Sequence, residues 1–127
     1  MKPINVLIID DSIAARKIME EALRRVPLEK GILEAANGVE AMAVIQQKPV
    51  DLIFCDICMP QMDGLEFLRQ LRADEKTKHV PVVMISAHTT EKNVTEALAQ
   101  GVNGFLKKPF TAQHVKDIVT RVLDIAA

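Results

Sequence analysis

The sequence has no tryptophan and no tyrosine, and only four phenylalanines in 127 residues. This scarcity argues against stacked aromatic platforms for nucleobases. The two cysteines, Cys55 and Cys58, sit too close together to form the framework of a disulfide-built domain. Neither sign of charge is in excess: sixteen basic and seventeen acidic side chains give a formal net charge of −1. That balance argues against direct nucleic-acid binding by phosphate neutralisation. No apolar run is long enough to span a membrane. The opening Met1-Lys2-Pro3-Ile4 lacks the apolar stretch and small-residue cleavage site of a secretory signal. These absences predict a cytoplasmic protein that works neither at a membrane nor directly on nucleic acid.

What is present is material for one domain. Surface scaling gives about 6,700 Å² exposed when folded against roughly 20,400 Å² unfolded, enough burial for a core without metal or disulfide staples. Apolar runs alternate with helical patterns five times, the pattern of βα units around a parallel sheet. Strands are predicted at Ile4–Ile9, Gly31–Ala35, Val50–Cys55, Val80–Ile85 and Val102–Leu106. The first, third and fourth are nearly all apolar, as strands covered on both faces should be. The second and fifth are short and more polar, which suits sheet edges. In the first helix Ala15, Ile18, Met19, Ala22, Leu23 and Val26 form the apolar stripe, while Arg16, Lys17, Glu20, Arg24 and Arg25 are expected to face water. Pro27 marks its end. The fourth helix, near Glu91 to Gln100, is the most polar, with Val94, Ala97 and Leu98 as anchors and Gly101 suited to its C-cap. Val115, Ile118, Val119 and Val122 form the stripe of the last, behind a Thr111 cap.

Ligands of open parallel sheets bind outside the carboxyl ends of the strands, where strand order reverses. The first strand runs into Asp10-Asp11, the third into Asp56, the fourth into Ser86-Ala87, and the fifth into Lys107-Lys108-Pro109-Phe110. Three carboxylates, a hydroxyl and a lysine would meet at one rim. Acids so close repel one another unless a cation sits among them, and an oxygen-only ligand set with few protein groups suits Mg²⁺. Asp11 or Ser12 alone could simply cap the first helix. Capping does not explain why four strands end in this complementary set.

The segments V-L-I-I-D-D-S (6–12), E-A-A-N-G-V-E-A (34–41), D-L-I-F-C-D-I-C-M-P-Q-M-D-G-L-E (51–66), P-V-V-M-I-S-A (81–87) and G-F-L-K-K-P-F (104–110) share order and spacing with a known family. In them the chain resembles the receiver domain of two-component response regulators, in particular the single-domain, CheY-like chemotaxis type. The resemblance covers essentially all residues, as one receiver domain 1–127 without an output domain. It implies an α/β, flavodoxin-like (βα)5 three-layer sandwich whose five-stranded parallel sheet has the order 2-1-3-4-5.

The resemblance also implies roles. Asp56 is expected to be the phosphoacceptor. Asp10 and Asp11 form the acid pair for Mg²⁺, joined by Asp56 and the backbone carbonyl of Cys58. Ser86 stands where the family hydrogen-bonds the phosphoryl group, and Lys108, followed by Pro109 in a peptide that is usually cis, matches the family lysine better than Lys107. Phe105 occupies the switch aromatic position. The implied partners are a sensor histidine kinase or histidine phosphotransfer protein as donor, meeting the first helix, and a downstream effector protein. The implied activity is Mg²⁺-dependent phosphoryl transfer from phosphohistidine to Asp56, which switches the surface formed by the fourth helix, fifth strand and fifth helix. This is self-phosphorylation and self-dephosphorylation, not conventional enzyme turnover. A phosphorelay intermediate, a receiver module of a longer protein and a degenerate, constitutive interaction module are the alternatives.

Three residues depart from the chemotaxis pattern: Ser86 in place of Thr, Phe105 in place of Tyr, and Cys58 where a polar side chain often positions hydrolytic water. With His88 near Ser86, the Cys58 substitution points to slow self-hydrolysis. Cys55-x-x-Cys58 has redox-motif spacing, but Cys55 reads as a small buried apolar residue. His79, His88 and His114 lack metal-ligand spacing and read as surface residues; Met59 and Met62 read as packing. An aspartyl-phosphatase would carry its two acids two residues apart on the first strand, and Asp10-Asp11 are adjacent. A flavin protein of the same topology would want a hydroxyl- and glycine-rich loop where this chain has D-D-S-I-A-A-R.

Overall fold

Five helices begin in the same way, which shows how local sequence sets the element boundaries. In the computed structural model, which describes residues 3–59, 62–87 and 90–123, α1 (Ile13–Arg24) follows Ser12, whose hydroxyl accepts from the Ala15 N–H. Asn37 caps α2 (Gly38–Gln47), and Glu40 reaches back to the Ala36 N–H. Asp63 caps α3 (Gly64–Ala73) and Thr90 caps α4 (Glu91–Ala99). Before α5 (Ala112–Leu123) the Thr111 hydroxyl accepts from the His114 N–H, and His114 Nδ1 accepts from the Thr111 N–H. Each cap satisfies an amide that the helix cannot pair internally.

Between the helices run β1 (Ile4–Ile9), β2 (Lys30–Ala35), β3 (Leu52–Asp56), β4 (Val82–Ser86) and β5 (Gly104–Lys107). All pair in parallel, in the order β2-β1-β3-β4-β5. The expected α/β fold and strand order are therefore observed. Every residue of β3 and β4 is buried, because helices cover both faces. One face packs Leu7, Ile9, Ile53, Met84, Phe67, Leu68 and Leu71 beneath α2, α3 and α4. The other packs Ile8, Phe54, Val83, Met19, Leu23 and Val119 beneath α1 and α5.

Several expectations need correction. The third, fourth and fifth strands each start two residues later than predicted and end one later. Their first expected residues, Val50, Val80 and Val102, are apolar but pack against the core from the loops. Pro81 has no N–H for a ladder, and the Asp51 carboxylate is taken by the Asn5 N–H. Ile18 and Leu98 are not anchors: they are 59% and 60% exposed. Arg16 does not face water, its side chain being only 14% exposed. Gly101 does end α4, at a positive φ of 80°, with Val102 N–H donating to Ala97 O and Gly101 N–H to Leu98 O. Among the described residues no helix is long and apolar enough to cross a membrane.

Candidate functional site

The strand order reverses between β1 and β3, and both strands deliver acids to the same rim. Asp10 follows β1, and its N–H donates to Ala35 O, which extends the pairing with β2. Its carboxylate is buried and fixed on both oxygens: Oδ1 accepts from the Ser12 N–H at 2.9 Å and Oδ2 from Lys108 Nζ at 3.2 Å. Asp11, next in the chain, is exposed. Asp56 closes β3 opposite Ile85 and is 8% exposed. Its Oδ1 accepts from the Cys58 N–H at 3.3 Å, and its Oδ2 stands 3.6 Å from Lys108 Nζ.

Carboxylate oxygens of Asp10, Asp11 and Asp56 lie within 4.8 Å of one another. Among the described residues, the Lys108 ammonium stands against these three acids, which leaves these four groups with an excess of two negative charges. The donors are hard oxygens, and the charge matches a divalent cation. The predicted acid trio thus fits Mg²⁺ in geometry and donor type. Burial pushes the Asp56 pKa up; Lys108 opposes this, Asp10 adds to it, the Cys58 N–H opposes it and Asp11 adds to it. Burial alone would lower the Lys108 pKa, but the Asp56 and Asp10 carboxylates outweigh it and raise it.

Lys108 owes its place to the end of β5. The Lys108 N–H donates to Ser86 O at 2.9 Å, and the Lys108-Pro109 peptide is cis. Lys107, the last strand residue, is exposed. Ser86 ends β4 and is buried beside this rim. Phe105 lies on β5, half-buried against the core under α4. Asp11 lines a cleft that it shares with Cys58, Met59 and Asn93.

Cys55 is buried, as expected, and Cys58 is exposed. Burial pushes the Cys55 thiol well above its ordinary pKa, with the Asp56, Asp10 and Asp63 charges adding to the shift. A thiol so hard to ionise does not suit redox exchange. Met59 and Met62 pack against the core, while His79 and His114 are exposed. His88 lies outside the described residues.

Sequence reasoning missed two supports of the site. Gly64 admits no side chain: a Cβ there would stand 2.4 Å from Asp56 O and 2.9 Å from Ile57 Cα, because α3 starts directly beneath the Asp56 loop. The Gly64 N–H donates to Ile57 O at 2.8 Å across this contact. Arg16 is the other, its Nη1 donating to Asp10 O at 2.6 Å. A basic residue in a helical charge pattern gives no signal of such burial. Its position within a turn of the helix start, where a cation opposes the helix dipole, is the only hint.

This arrangement has counterparts. The chain is 35% identical over 123 residues to chemotaxis protein CheY-3 of Vibrio cholerae, covering 97% of this chain and 94% of that one. The solved structure of chemotaxis protein CheY4 of Vibrio cholerae superposes with a TM-score of 0.87 at 33% identity, covering 95% of this chain and 99% of that one. The Mn²⁺-bound form of response regulator Rcp1 superposes with a TM-score of 0.86 at 26% identity, covering 98% of each. Residues 6–120 match the family model described as response regulator receiver domain, and the chain belongs to that family, as a CheY-like receiver.

Proposed function

We propose that the chain is a phosphorylatable switch in which Asp56 accepts a phosphoryl group from a phosphohistidine donor, with Mg²⁺ held by Asp10, Asp11, Asp56 and the backbone carbonyl of Cys58. The observation that carries this reading is the convergence of three carboxylates within 4.8 Å, with Lys108 Nζ 3.2 Å from Asp10 and 3.6 Å from Asp56. The Mn²⁺-bound form of Rcp1 supports a divalent ion in this fold. When bound, such an ion offsets the charge of the acids and of the incoming phosphoryl oxygens.

An Asp56 carboxylate oxygen attacks phosphorus, and the bond from phosphorus to the donor imidazole breaks, its electron pair remaining on the ring nitrogen. Burial and the Cys58 N–H hold the Asp56 carboxylate in place, so the transfer needs little beyond alignment and charge stabilisation. Lys108 is tethered to two carboxylates yet partly exposed, so its ammonium is placed to engage a phosphoryl oxygen on Asp56. The Ser86 hydroxyl is the hydrogen-bonding group at the end of the neighbouring strand. Once phosphorylated, Asp56 carries a dianion at this rim. Movement of Ser86 towards it and of Phe105 into the space left would bias the α4, β5 and α5 surface between two arrangements. That surface is the one offered to an effector protein, and the donor is a histidine kinase or a histidine phosphotransfer protein. The domain acts by changing its own state rather than by turning over a free substrate.

Intact mass after incubation with a small acyl phosphate tests the reading. One added phosphoryl group is expected with Mg²⁺, none with a chelator, and none in Asp56→Asn. Phosphate incorporation in that variant would overturn the assignment of the acceptor.

A further inference from the structure

Asp10 and Asp11 are neighbours in sequence but are held very differently. The Asp10 backbone N–H, both carboxylate oxygens and the backbone carbonyl are all engaged, by Ala35, Ser12, Lys108 and Arg16 in turn. Asp11 is exposed, and the direction in which it projects follows from the peptide plane joining it to Asp10. The oxygen of that plane is the acceptor that Arg16 Nη1 holds at 2.6 Å.

Arg16 is itself fixed from the other side. Its Nε donates to Glu34 Oε1 at 3.0 Å, at the end of β2, and its side chain is only 14% exposed. The planar guanidinium therefore spans from β2 to the turn after β1 with two separate donors. Helix electrostatics does not account for a cation here, since α1 has no acid in its first turn and a positive charge near a helix start is unfavourable. The pair with Glu34 also offsets the guanidinium charge, which would otherwise repel a divalent cation at the neighbouring acids.

We infer that Arg16 is a positioning residue of the metal site: by clamping the Asp10 carbonyl between β1 and β2, it sets the peptide plane that aims Asp11 at the cation. This rests on the reading of the acid trio as a Mg²⁺ site. Charge alone and positioning make opposite predictions. Removing a nearby positive charge would tighten Mg²⁺ binding, whereas removing a support of a ligand weakens it, typically by about tenfold or more.

The test is Mg²⁺ titration by calorimetry of the full chain, the Arg16→Met variant and the Arg16→Lys variant, with amide NMR spectra of each without metal. Met retains the packing of the arginine stem. Lys supplies one point donor where two are used, so it should recover part of the affinity. The expected result is a Kd about tenfold weaker in Arg16→Met and intermediate in Arg16→Lys, with metal-free amide shifts confined to residues 10–12 and their β2 neighbours. Equal or tighter binding in Arg16→Met, with the wild type binding normally, overturns the positioning role and leaves the metal reading standing. Absence of Mg²⁺ binding in the wild type overturns both. If Arg16→Met is unfolded, Arg16→Lys decides: affinity equal to the wild type then overturns the clamp, and weakened affinity with a native spectrum supports it.

Discussion

Helices α3 and α4 cover the same face of the sheet, yet one is embedded and the other barely attached. In α3 five residues are buried: Gly64, Leu65, Phe67, Leu68 and Leu71. In α4 only Ala97 is, while Leu98 projects into solvent. The attachment of α4 is also uneven. Its C-terminal end is closed by the Gly101 turn, and Arg72 of α3 binds Gly101 O at 2.9 Å and Asn103 Oδ1 at 2.9 Å. Its N-terminal end, the end nearer the acid rim, has the Thr90 cap and little buried apolar surface. The helix beneath the Asp56 loop is thus firmly placed, and of the two it is α4, beside β5, whose displacement costs less. Such a division suits the switch proposed above, in which one carboxylate is held still while a surface elsewhere is reshaped.

The sharpest way to break the embedded side is Phe67→Ala. Phe67 is fully buried in the core under β3 and β4, and the truncation should cost about 3–5 kcal/mol in denaturant unfolding. Next in size is Gly64→Ala. Its new Cβ would meet the backbone of Asp56 and Ile57 rather than a flexible side chain, so the loop must shift, at about 1–3 kcal/mol. Because the displaced backbone belongs to Asp56, this variant should also lose phosphoryl incorporation while keeping its fold, as intact mass and circular dichroism would show.

How far this division could be read from sequence depends on what each residue's role leaves in its spacing. Strand-terminal polarity put Asp10, Asp11, Asp56, Ser86 and a lysine at one rim, because a buried parallel strand tolerates such residues only at its end; the family resemblance, not polarity, singled out Lys108 over Lys107. Apolar runs gave the sheet, but not where its ladders start. Val50, Val80 and Val102 are as apolar as strand residues and lie outside the ladders, since hydropathy reports burial and not hydrogen-bond register. Periodicity likewise placed Leu98 on an apolar stripe that α4 does not bury, because the breadth of a helix contact depends on the neighbour it meets. Gly64 carried no signal in the sequence pattern. Its need for a missing Cβ arises from an approach between segments that the sequence does not display.

A charge effect should come third. Burial raises the Asp56 pKa in the folded chain, so the folded state binds a proton more readily than the unfolded state does. Stability from this group is therefore lost as pH rises from the ordinary carboxylate range through the raised folded value. In chelator-containing buffer Asp56→Asn should be more stable than the wild type at pH 7, and the gap should narrow as pH falls towards about 4. Lys108 acts with the opposite sign at the alkaline end: its raised pKa contributes stability that persists below its unfolded value and is lost as pH rises through the folded one. Urea unfolding of both chains across this range checks the Asp56 slope, and a gap independent of pH would rule out burial as its cause.

The smallest effect should come from Leu98→Ser in α4. At 60% exposure the side chain contributes little to the core, so the change should lie within about 0.5 kcal/mol in the unphosphorylated chain. The contrast with Phe67→Ala lies in what else changes. If α4 is loosely held at its rim end, hydrogen exchange of its N-terminal amides should be much faster than in α3 in both the wild type and the variant, through opening that does not unfold the domain. Uniform protection across α3 and α4 would mean that the shallow contact around Ala97 holds as firmly as five buried residues do, and the division between the two helices would then have no dynamic consequence.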